Sequence, residues 1–99
     1  GIYKGVDNLE PEEPDILAWW ARLVGRDRYI NVIHLLQEEA GLTFKEAKAW
    51  LLPRMYISRL AKDWECTEKN IYKLRSKASD KIETTDVMTK IPVRFYNIL

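Results

Sequence analysis

Cysteine is nearly missing from this chain. One residue in 99, Cys66, leaves no partner for an internal disulfide. Histidine is as scarce, and His34 with Cys66 makes no set of the kind that holds zinc. That usage fits a reducing cytoplasm, which is the expected setting. No apolar run approaches the roughly 20 residues of a membrane span, and the opening "GIYKGVDNLEPEEP" lacks the charged-then-apolar layout of a secretory leader. The four glycines are scattered, which excludes a glycine loop cradling phosphates. The acidic group Glu10, Glu12, Glu13 and Asp15 is interrupted by prolines and lacks the glycine-bearing loop that calcium uses. It reads as a solvated lead-in. His34 lies beside Ile33 and Leu35 in a packing or surface role, and Cys66 reads as a hydrophobic plug rather than a nucleophile. No enzyme, metal or cofactor is expected.

What the chain does have is apolar and aromatic material: 46% hydrophobic residues, with four Trp and five Tyr. That is enough for one core and hardly for two, so a single domain is expected. The net charge of +1 is unevenly spread. Residues 1–41 hold four basic and eight acidic side chains, whereas residues 42–99 hold twelve and seven. An anionic partner is therefore to be sought in the second half.

Periodicity and stop signals divide the chain. Residues 1–13 form the irregular acidic lead-in, and residues 14–41 a helical pair. Pro14 suits a first helical position, and Ile16, Trp20, Leu23 and Val24 form a stripe that Gly25 ends. A second helix is expected from about Asp27 to Ala40 with Tyr29, Ile33, Leu36 and Ala40 inward, and Gly41 stops it. Thr43 and Glu46 have the spacing of a capping box, in which hydroxyl and carboxylate satisfy each other's exposed backbone N–H. The third helix starts there with Phe44, Ala47 and Leu51 inward, and Pro53 ends or kinks it. Arg54 to Tyr56 then form a connection.

Residues 42–83 are the most informative. Ile57, Leu60, Ala61 and Trp64 share one face of a short helix; Thr67 caps the next, along which Ile71, Leu74, Ala78 and Ile82 line one side. Two helices joined by about three residues make a helix-turn-helix. Ala61 marks the close approach of the pair. The whole chain thus reads as an all-α compact bundle of about five helices. Residues 84–99 form an extended tail in which Ile91, Val93 and Phe95 alternate to one side, packing on this domain or adding to another chain.

"LTFKE" followed by "RLAKDWECTEKNIYKLRSKASDKI" resembles the helix-turn-helix module shared by region four of bacterial sigma factors and the LuxR-type regulators. Leu42, Thr43, Lys45 and Glu46 match its opening; Ala61, Trp64, Thr67, Ile71, Leu74, Lys81 and Ile82 match the remainder by type. Glu65 departs from the pattern, standing where those families place a turn glycine. Either Glu65 accepts a positive φ or the turn widens. The resemblance implies sequence-specific binding of double-stranded DNA and a role in transcriptional regulation, with the N-terminal part of the last helix in the major groove.

By the 100° turn per residue, Lys69, Lys73, Ser76 and Asp80 face away from the apolar stripe, flanked by Asn70, Tyr72 and Lys77. Lys69 and Lys73 are candidates for base acceptors or phosphates, and Asn70 for a two-bond contact to adenine. The Thr67 hydroxyl and the helix N-terminus suit a phosphate. Arg59 and Lys62 suit the backbone. Arg75 lies nearer the buried side, where an ion pair with Asp63 or Glu65 competes with phosphate binding. Another class of function competes with all of this: a protein-interaction module, in partner binding or phage or mobile-element assembly. A helix cannot bury adjacent Trp19 and Trp20 on one face, and Trp50 lies off its own stripe. An outward Trp19 or Trp20, or the tail around Val93, Phe95 and Tyr96, would serve a partner or a homodimer.

Overall fold

The computed structural model describes residues 14–92 and Phe95. The acidic lead-in and the tail positions Val93 and Tyr96 lie outside the described residues. Five α-helices follow one another: α1 (Asp15–Val24), α2 (Arg26–Ala40), α3 (Phe44–Leu51), α4 (Ile57–Asp63) and α5 (Glu68–Glu83). Single 3-10 turns occupy Arg54–Tyr56 and Val87–Lys90, and no strand occurs among the described residues.

The corner between α1 and α2 is a single residue. Gly25 has φ 105°, a backbone region that Cβ opposes, and so the chain reverses without a loop. That economy starts α2 at Arg26 rather than Asp27, and Pro14 is the residue before α1 rather than its first. Gly41 closes α2 in the left-handed conformation, its N–H donating to the Gln37 carbonyl while Leu42 N–H reaches Leu36. Thr43 and Glu46 form the full capping box: Glu46 N–H donates to Thr43 Oγ1 at 3.1 Å, and Thr43 N–H to Glu46 Oε1 at 2.9 Å. Leu52 takes an extended conformation before Pro53, which ends α3 where the proline requires.

The core joins Leu17, Trp20, Tyr29, Leu36, Leu51, Leu52, Ile57, Leu60 and Ile71, all fully or almost fully buried. Two stripe residues are not in it. Leu23 is 61% exposed, because the buried arc of α1 runs through Ile16, Leu17, Trp20, Ala21 and Val24 and leaves Leu23 at its edge. Phe44 is 36% exposed at the open start of α3, with the Lys48 ammonium 5.2 Å above its ring. Val32 joins the buried side of α2, and Ala40 packs against the core half-buried. Val87, Ile91 and Phe95 return to the same core, and Phe95 N–H turns back to the Pro92 carbonyl. Lys90 fastens this segment to α2 through Glu39 at 2.8 Å, and the pair holds the ammonium above its ordinary pKa. Phe95 is thus spent inside this domain rather than offered to another chain. No helix among the described residues is long and apolar enough to cross a membrane.

α5 packs chiefly on α3, and polar contacts at two places along α5 lock them, one of them at Lys81. Lys81 Nζ lies 2.8 Å from Glu46 Oε1 and 3.3 Å from the Gly41 carbonyl. Burial opposes the charge on Glu46, yet the Lys81 hydrogen bond, the Thr43 N–H and the Lys77 charge outweigh it and hold the carboxyl below its ordinary pKa. A pKa lowered on folding contributes stability above the unfolded pKa, and this is lost as pH falls through the folded one. Chemical denaturation at neutral pH is expected to show Glu46→Gln destabilised by about 1–2 kcal/mol, with the gap closing in acid. A gap that persists undiminished at low pH would mean that ionised Glu46 is not what stabilises the fold.

Candidate nucleic-acid interface

α4 and α5 are joined by four residues, Trp64 to Thr67, one more than the expected turn. The turn is built from backbone bonds. Trp64 N–H donates to Leu60, Glu65 N–H to Lys62 and Cys66 N–H to Ala61, at 2.9–3.1 Å. Glu65 carries φ 54°, the one positive φ among the described non-glycine residues. It accepts the strain that glycine would avoid, at a cost of about 1–2 kcal/mol. Cys66 behind it is half-buried, packed against the core on one side. Ala61 and Ala78 are both buried, so these helix faces carry only a methyl group into the core.

Thr67 caps α5 through Oγ1, which accepts Asn70 N–H at 3.1 Å. The first-turn N–H groups of Glu68 and Lys69 lie before the first intrahelical bonds. Ile71, Ala78 and Ile82 are buried and Leu74 half-buried, fixing the orientation of the helix. The opposite side is therefore solvent-facing, and Thr67, Lys69, Asn70, Tyr72, Lys73, Ser76 and Lys77 are all exposed there. Arg59 and Lys62 are exposed on α4, Arg59 in an ion pair with Asp63 at 3.5 Å. An exposed pair of that kind is worth well under about 1 kcal/mol and yields readily to another anion. The exposed carboxylates of α5 stand at its ends, Glu68 at the first turn and Asp80 and Glu83 at the last.

Arg75 departs from its expected roles. Its Nη1 donates to the Ala49 and Leu52 carbonyls, each at 2.8 Å, rather than pairing with Asp63 or Glu65 or facing a phosphate. The last carbonyls of α3 have no intrahelical partner, and a planar cation on α5 supplies one. Burial lowers its pKa, the positive charge of Arg54 adding to the effect and Tyr72 opposing it.

Two neighbours of the face escaped the sequence reading as site residues. Lys45 opens α3 and holds its ammonium 5.1 Å from the centroid of the half-buried Trp64 ring. Their only sequence signal was that both match the helix-turn-helix pattern. Among the described residues no group of three His, Cys, Asp or Glu stands together to hold a metal ion. His34 is exposed on α2, away from these residues in sequence. The other distinctive surface is apolar. Trp19, Leu23 and Met55 are 38%, 61% and 76% exposed, around a cleft between α1 and the Arg54–Tyr56 turn. Trp19 meets Tyr56 edge-on, with centroids 5.3 Å apart. No family model, curated protein or solved structure matches the chain.

Proposed function

We propose that the chain binds double-stranded DNA through the helix-turn-helix of α4 and α5, reading sequence with the first turns of α5, in the manner of a transcriptional regulator. The observation that carries this reading is the outward side of α5. Lys69, Asn70, Lys73, Ser76 and Lys77 are exposed together, with its carboxylates confined to the helix ends. Asn70 stands where a helix entering the major groove meets base edges, with Lys69 and Lys73 beside it to meet phosphates. Arg59 and Lys62 on α4, with Thr67 and the free N–H groups of α5, serve the phosphates on either side. The division is testable by substitution. Asn70→Ala is expected to cost about 1–3 kcal/mol on the preferred site and little on random duplex, whereas Lys62→Ala weakens both alike. Equal losses on both duplexes for both variants, in a titration at fixed salt, would mean that α5 does not read sequence.

The exposed apolar cleft supports a second reading, an interaction with protein. Trp19, Leu23 and Met55 form a surface of the kind that a second copy or a partner covers. A dimer formed there would present two copies of α5 to DNA. The tail is a weaker candidate, since Ile91 and Phe95 are buried in their own core. Sedimentation of the intact chain and of Trp19→Ala distinguishes self-association from a purely monomeric domain.

A further inference from the structure

The outward side of α5 borders a hollow. Lys45 of α3, Trp64 at the end of α4 and Asn70, Lys73, Leu74 and Lys77 of α5 line an open concavity of ≈ 310 Å³. Its floor is apolar, since Trp64 and Leu74 are half-buried against the core. Its rim carries three ammonium groups and no carboxylate. Glu46, next to Lys45 in sequence, is only 5% exposed and engaged by Lys81, so it leaves the rim positive. The Lys45 ammonium lies 5.1 Å from the centroid of the Trp64 ring, and both residues line the hollow.

We propose that this concavity seats one sugar-phosphate unit of DNA, the deoxyribose on Trp64 and Leu74 and the phosphate within reach of Lys45, Lys73 and Lys77. The proposal rests on the DNA-binding reading and deepens it: α3, which precedes the α4–α5 pair, supplies a clamp on the strand beside the groove. A sugar-phosphate joins an apolar face to an anion within one residue, which matches a floor and rim of this kind. A free carboxylate would leave the aromatic floor unused, and an apolar side chain would leave three cations unmet. A contact of this sort fixes register on the duplex and carries no sequence information.

Removing one phosphate contact takes about 0.9 from the salt slope, which amounts to about an 8-fold loss of affinity at about 0.1 M salt. Lys45→Ala is expected to lose that much on every duplex regardless of sequence, and Lys45→Arg to lose little. Cys66 is the single cysteine and lines the same concavity, so it reports occupancy directly. Alkylation of Cys66 by iodoacetamide is expected to slow several-fold when duplex DNA is bound. Duplex binding that is unchanged in affinity and slope by Lys45→Ala overturns the proposal, and so does a bound complex in which Cys66 reacts at its free rate. If the wild-type chain binds no duplex at all, the DNA reading itself has failed, an outcome separate from either of these.

Discussion

Raising the salt from about 50 to about 200 mM is expected to weaken binding of this chain to duplex DNA roughly 500-fold. Arg59, Lys62, Lys69, Lys73 and Lys77 are five exposed cations on α4 and α5. Each phosphate neutralised releases condensed counterion, so five contacts give a log–log slope of about −4.5, and Lys45 as a sixth about −5.4. The chain's net charge of +1 generates no such slope by long-range attraction. A steep dependence would therefore report a local footprint. Fluorescence polarisation of a labelled duplex over a series of salt concentrations measures it. A slope shallower than about −2 would mean that fewer than three of these cations meet phosphates, and no binding even at the lowest salt would remove the DNA reading.

The largest effect on stability is expected at Arg75, which is absent from the proposed contacts. Arg75→Met keeps much of the aliphatic stem and removes the hydrogen bonds to the Ala49 and Leu52 carbonyls. Charged hydrogen bonds of this kind contribute about 1.5–3 kcal/mol each, and stranded carbonyls add desolvation, partly relieved by water at a half-exposed site. A loss of about 2–4 kcal/mol in urea denaturation is the expected result. Arg75→Lys should recover only part of it, because a single ammonium lacks the planar fork. A loss under about 1 kcal/mol would show that water replaces the guanidinium at the end of α3 without penalty. Duplex affinity per folded molecule should stay near wild type. That separates Arg75 from the exposed cations of the same helix.

The five helices were legible because their boundaries rest on local chemistry. Gly41, the Thr43–Glu46 box, Pro53 and the Thr67 cap act within a few residues, and each sits where its spacing implies. The inward set of α5 was legible for a similar reason, since one turn angle orders the whole helix. What stayed hidden depends on partners distant in sequence. Arg75 meets carbonyls 23 and 26 residues away, Lys81 meets Glu46 across 35, and Lys45 lies over the Trp64 ring although the two belong to different elements. Leu23 shows the complementary failure: apolar spacing identified a stripe, but only the packed arc reveals that its edge faces water. The candidate site divides the same way. Its α5 residues follow from helical phase, while its α3 wall follows from tertiary packing.

The return of Val87, Ile91 and Phe95 to the core has a consequence for the order of folding events. Each of the three is at most 4% exposed, and Lys90 reaches back to Glu39 across 51 residues. A growing chain can form α1 to α5 as they emerge from the ribosome, for their turns are short and their caps local. The core that includes Phe95 lacks that side chain until the residue has been synthesised. Addition of Phe95, rather than completion of the helices, is the moment at which this core gains the last of these three buried side chains.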